Sequence, residues 1–178
     1  MSNKYIYGCT SILNLIKQKI EIFRLKRTNN YKEIEFSQCK FAKVIDVYDG
    51  DTCTCVVRYQ GMNIKFKVRL NGLDTPEIRK TEDIEEKEAG YLARDFVRQL
   101  ILGEIVKFDY KGMDKYGRVL ADLYLMKKKN IAMGGTIDYS ISLSQNIINN
   151  NYGVYYDGGK KEKFKKSRKF KNEVDKVK

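Results

Sequence analysis

The sequence predicts a small, strand-rich α+β domain: a five-stranded barrel with two or three helices packed on it. Three observations predict this. Short segments of period-two alternation recur between residues 43 and 126, and turn dipeptides separate them. One long stretch of helical period, residues 88–102, falls among them. The length of 178 residues and 20.8 kDa holds one ordinary domain with appendages.

Each element follows in chain order. Residues 11–26 read as an amphipathic helix capped by Thr10 or Ser11. Ile12, Ile16, Ile20 and Phe23 form one stripe, with Lys17, Arg24 and Arg27 elsewhere. Asn29-Asn30 ends it. Residues 33–48 read as extended, with Val44 and Asp46 opposite Ile45 and Val47. Asp49-Gly50 is a turn dipeptide. Residues 52–59 form a strand in which Cys53 and Cys55 share a face, expected to be the core face. Gln60-Gly61 turns the chain into a second strand, 62–70. There Ile64, Phe66 and Val68 alternate with Lys65, Lys67 and Arg69. Asn71-Gly72 breaks the run, and Pro76 keeps the following segment out of a central strand. Acidic residues 82–88 suit a helix N-terminus. Ala89, Leu92, Ala93, Phe96, Val97, Leu100 and Ile101 then follow helical spacing until Gly103. Strands at 105–110 and 119–126 flank a polar loop. Residues 127–130 read as a hairpin tip, and 131–139 show no clear period. A second helix is expected at 141–150, followed by 152–156 and the turn Asp157-Gly158-Gly159. Beyond residue 160 the chain is mostly Lys with scattered Phe and is expected to be disordered or marginally helical. The order of elements fits a barrel of the OB type.

Composition narrows the chemistry. Histidine is absent, which excludes Ser-His-Asp and Cys-His catalysis and every His-ligated metal site. A mean hydropathy of −0.54 excludes a membrane-embedded chain. The net charge of +12 is uneven. Residues 1–40 carry 8 basic and 3 acidic residues, residues 160–178 carry 10 and 3, and the middle carries 17 of each. Basic flanks attract polyanions without reading their sequence. Four cysteines without CxxC spacing give neither a zinc site nor a disulfide framework, so a reducing compartment is expected. The N-terminal segment lacks the long apolar stretch and cut site of a signal peptide, so an intracellular location is expected. The first helix is expected to dock on the domain or bind a partner. Attachment to an acidic membrane surface is the less favoured alternative.

Three loops concentrate charge: Asp49-Gly50-Asp51-Thr52, the segment from Arg69 to Asp74-Thr75-Pro76-Glu77, and Asp114-Lys115-Tyr116-Gly117-Arg118. Carboxylates at separate strand ends can converge on a hard cation, and guanidinium forks match phosphate oxygens. Each loop alone has an ordinary reading as a turn, a helix cap or a surface hairpin. Together, Val44 to Thr52, Val68 to Glu77 and Asp114 to Arg118 resemble the staphylococcal nuclease family in order and spacing. The resemblance covers about residues 37–160, leaving 1–36 as an N-terminal extension, 37–159 as the domain and 160–178 as a basic tail.

The resemblance implies an OB-type barrel and calcium-dependent hydrolysis of DNA and RNA phosphodiesters at the 5′ P–O bond, leaving 3′-phosphates. It matches Asp51 and Asp74 to metal-binding aspartates and Thr75 to a ligand through its backbone carbonyl, for one calcium ion. Glu77 matches the carboxylate near the attacking water, and Arg69 and Arg118 match the phosphate-binding arginines. Lys115, Tyr116 and one of Tyr155 or Tyr156 fall near positions that hold nucleotide, and Asp49 matches a secondary acidic position. A monomer is expected. The alternative is a non-catalytic nucleic-acid or protein-binding module on the same barrel. Residues 131–142 depart from the family pattern and read as an insertion, and the tail has no convincing counterpart of the family's third helix.

Overall fold

A computed structural model of the chain describes residues 14, 16–24, 34–128 and 137–159. The chain divides into two units, Met1–Ile34 and Glu35–Lys178. In the first, residues 16–24 are helical, with Ile16, Ile20 and Phe23 each about half exposed. The expected capping residues and the basic tail lie outside the described residues. Among the described residues, no helix is long and apolar enough to cross a membrane.

The second unit begins with a 3₁₀ turn, Phe36–Gln38, inside the segment expected to be extended. The second unit thus includes Glu35 and Phe36 ahead of the barrel strands. Phe36 belongs with the barrel, because its ring packs 4.6 Å from Phe66 and 5.9 Å from Tyr110. The strands are β1 (Phe41–Val47), β2 (Thr52–Tyr59), β3 (Met62–Leu70) and β4 (Leu73–Asp74), then helix α1 (Ile84–Ile101). β5 (Ile105–Met113), β6 (Val119–Lys128), β7 (Ile137–Ser142), helix α2 (Leu143–Asn149) and β8 (Val154–Tyr155) complete the domain.

Antiparallel pairing runs β3-β2-β1-β5-β6, and a parallel pairing of β3 with β6 closes the five strands into a barrel. The expected OB-type α+β barrel is thus the observed fold. Val44, Val47, Cys53, Cys55, Val68 and Leu123 fill its interior and are almost fully buried. The Cys53 and Cys55 sulfurs lie 3.7 Å apart in this core. The β2–β3 hairpin follows its alternation, and Gln60 and Gly61 both take positive φ (47° and 84°) at the tight turn. β1 departs from the expected alternation. A bulge between Val44 and Asp46 leaves Ile45 and Asp46 exposed and turns both Val44 and Val47 inward.

Helix α1 starts one turn earlier than its apolar stripe. Asp83 caps it by accepting from the N–H groups of Glu85 and Glu86, and Ala89, Ala93, Val97 and Ile101 are buried. Arg98 ties the helix to β1 by donating to the Val47 carbonyl at 3.0 and 3.2 Å. β7 begins within the segment without clear period and extends the sheet on the second half of β6. Lys127 and Lys128 are strand residues rather than a hairpin tip, and 129–136 lie outside the described residues. Ile141 and Ser142 belong to β7, so α2 begins at Leu143 with Ser142 as its cap.

Candidate active site

Barrel closure assembles the site. Arg69 pairs with Thr52 across β2–β3 and with Leu120 across β3–β6. Arg118 immediately precedes β6, whose first residue, Val119, pairs with Val68. The parallel closure therefore sets Arg118 beside the end of β3 although it lies 48 positions beyond Leu70 in the chain. β4 leaves β3 through Gly72 (φ 69°) and pairs with β8, placing Asp74 opposite Val154.

Arg69 is only 7% exposed. Its Nη1 makes an ion pair with Asp51 Oδ2, and its Nη2 donates to Asp74 Oδ1 at 3.2 Å. One guanidinium thus joins the two aspartates. Asp51 Oδ2 also accepts from the Thr75 N–H at 3.3 Å, and Asp51 Oδ1 accepts from Thr52 Oγ1 at 3.0 Å. The structure brings Asp51, Arg69, Asp74 and Thr75 together. Glu77 and Arg118 line the same cleft of about 730 Å³ as Asp51, Arg69 and Thr75.

The loop from Asp74 to Ile78 passes close to two glycines. A Cβ on Gly90 of α1 would come within 2.9 Å of the Pro76 carbonyl oxygen, and one on Gly153 within 2.8 Å of the Asp74 carbonyl oxygen. Backbone thus crowds the loop from both sides. The Glu77 N–H donates to Glu86 Oε1 of α1 at 3.4 Å, which fixes Glu77 relative to the helix.

Arg118 is held differently. Its Nε donates to Asp114 Oδ2 at 2.6 Å and its Nη1 to Thr52 Oγ1 at 3.1 Å. Asp114 Oδ1 accepts the backbone N–H groups of Tyr116 and Arg118 at 2.8 and 2.9 Å. Burial raises the Asp114 carboxyl, but hydrogen bonds from Arg118 and Tyr116 outweigh it and hold it below the usual carboxylate range. Asp49 moves the other way, to about 7. Burial is the main cause, followed by the charge of Asp51 and a hydrogen bond with it.

Of the expected nucleotide-binding residues, Lys115, Tyr116 and Tyr156 line the cleft and Tyr155 does not. Tyr155 is 74% exposed, on β8 opposite Leu73. Tyr116 is surrounded by cations, with Lys80, Lys115 and Arg118 all within 5.7 Å of its ring centroid. Thr52 and Asp114 as the partners of Arg118, and Tyr48, Lys67 and Arg79 in the cleft wall, were not among the expected site residues. For Lys67 a signal existed, since it lies two residues before Arg69 on one strand face.

Fold and site together define an OB-type barrel carrying an acidic–arginine cleft suited to phosphate. The family model for staphylococcal nuclease homologues matches residues 67–173. The chain belongs to the staphylococcal nuclease family. It is 32% identical over 123 residues to an uncharacterized protein of Methanocaldococcus jannaschii, covering 58% of each chain. It is 31% identical over 86 residues to an uncharacterized endonuclease of Haemophilus influenzae, covering 48% of this chain and 43% of the relative. An uncharacterized endonuclease of Escherichia coli is 27% identical over 89 residues, covering 50% of this chain and 51% of the relative. The chain thus spans about half the length of the relatives it matches.

Proposed function

We propose that this chain is a calcium-dependent, sequence-tolerant nuclease that hydrolyses DNA and RNA phosphodiesters and leaves 3′-phosphates. The observation that carries the reading is the single buried guanidinium of Arg69 joining Asp51 and Asp74 at a cleft that Glu77 and Arg118 also line. Names of the relatives point the same way, since two are called endonucleases.

The residues present fit a hard divalent cation. Both aspartates offer oxygen to one locus, where a single guanidinium meets them both. Among the described residues no three acidic or cysteine side chains form a ligand cluster. The family resemblance assigns the set to Asp51, Asp74 and the Thr75 carbonyl, and water and substrate would complete the coordination. When bound, calcium supplies charge neutralisation at the phosphate.

The protein's own groups do the rest. Arg69 and Arg118 donate to non-bridging phosphate oxygens, and their grip strengthens as charge builds on those oxygens. Glu77 orients the attacking water and accepts its proton. Tyr116 and Tyr156 offer ring faces to bases without reading their identity, and Lys115 offsets phosphate charge.

The test is degradation of plasmid DNA and of RNA in calcium and in chelator. Cleavage of both in calcium only is the expected result. Binding of both without cleavage in either condition would replace this reading with a non-catalytic binding module.

A further inference from the structure

Beside the cleft lies a second hollow of about 450 Å³ across β1, β2 and β3. Tyr48, Thr52 and Lys67 line both, so the two hollows adjoin along these residues and outline a path from one to the other. Lys65, Lys67 and Arg69 occupy alternate positions of β3 and share a face. Successive charges along it stand roughly 7 Å apart, at about 3.4 Å per residue. That step is comparable to the phosphate repeat of an extended single strand. Tyr48 is 42% exposed, with the Arg79 guanidinium 4.6 Å and the Lys67 ammonium 6.0 Å from its ring centroid. Asp46 also lines the second hollow and opposes a polyanion, but Arg98 lies 3.7 Å from its carboxylate and offsets it.

We infer that this path is a binding subsite for the nucleotides that flank the scissile phosphodiester. A base stacks at Tyr48, and Lys67 and Lys65 carry successive phosphates leading away from Arg69. Stacking rings interleaved with cations are the physical means of holding single-stranded nucleic acid without sequence readout. The basic face of β3 thereby acquires a role as a ladder that sets how much strand the protein grips. The inference rests on the nuclease reading for where the cut falls, but its binding test does not need cleavage.

The experiment measures binding of a labelled ten-nucleotide oligothymidylate by fluorescence anisotropy in chelator, with a dinucleotide measured by competition. The proteins are the full-length wild-type chain, Tyr48→Ala, Tyr48→Phe and the double variant Lys65→Gln/Lys67→Gln. Lys65 and Lys67 are exposed, so the double variant keeps the fold. Tyr48→Ala is expected to bind the ten-mer about tenfold more weakly, and Tyr48→Phe to bind it like wild type. The double variant is expected to lower the log–log salt slope by about 1.4, at 0.7 per single-strand phosphate. Dinucleotide binding should not change in any of them. Unchanged ten-mer affinity and slope, or equal losses for the dinucleotide, would overturn the subsite. Cleavage of the ten-mer in calcium is followed separately. Selective binding losses in a chain that never cuts would sink the nuclease reading and leave the subsite standing. Unchanged binding in a chain that cuts would do the reverse.

Discussion

The two arginines of the cleft sit in contrasting surroundings. Arg69 projects from β3, is almost fully buried, and answers Asp51 of the β1–β2 loop and Asp74 of β4. Arg118 ends a hairpin turn, leaves about a quarter of its side chain in solvent, and answers an aspartate four residues earlier in the same turn. Both point into one cleft. The difference teaches that a shared chemical task does not imply a shared structural role. Arg69 neutralises buried acid and so belongs to the fold as much as to the site. Arg118 is held locally, and the barrel should not depend on it.

That contrast can be broken at its strongest point. Arg69→Ala should lower turnover by about 10²–10³. It should also cost about 3–5 kcal/mol of stability, because it strands buried carboxylates without their partner. Urea melts and nuclease rates of the same preparation check both. Arg118→Ala should lose turnover on the same scale, about 10²–10³, yet change stability by less than about 1 kcal/mol, since its ion pair is part-exposed. Equal stability losses in the two variants would erase the distinction.

Glu77→Ala sharpens the comparison from the side of the water. Turnover should fall by about 10²–10⁴ while nucleic-acid affinity stays near wild type. Comparable losses in both would deny Glu77 a role in proton transfer.

The smallest effect is on pH dependence. Asp114 has a folded-state pKa below its ordinary value. It therefore contributes stability above its unfolded pKa, and that contribution disappears as pH falls through the folded one. Asp114→Asn should lose that contribution at neutral pH, flatten the acid limb below about pH 4, the ordinary aspartate range, and converge with wild type in acid. Urea melts between pH 2.5 and 7 read this directly.

Much of the fold could be read from local pattern. The β2–β3 hairpin announces itself by alternation on both sides of Gln60-Gly61, because period and turn chemistry agree. The bulge in β1 could not be read that way. One extra residue reverses which face is buried, and the demand for it comes from pairing with β2 rather than from residues 44–47 themselves. β7 was equally hidden, since its reason to be a strand is the edge of β6.

The site divides along the same line. Asp51, Arg69, Asp74, Glu77 and Arg118 stand in contiguous motifs and were named from them. Alternation alone placed Arg69 on the outward face with Lys65 and Lys67, yet it is buried because Asp51 and Asp74 converge on it from separate parts of the chain. Thr52 as a partner of Arg118 required the β3–β6 closure, a contact across 66 positions of sequence. Tyr48 required the same barrel to bring it to the cleft wall.

The most direct measurement is the cleavage rate of a single oligonucleotide as free calcium is raised, for wild type and for Asp74→Asn. Wild type should rise from no detectable cleavage in chelator to a saturating rate, and Asp74→Asn should need far more calcium or never reach that rate. Superimposable calcium curves for the two proteins, or full-rate cleavage in chelator, would contradict a shared cation at Asp51 and Asp74.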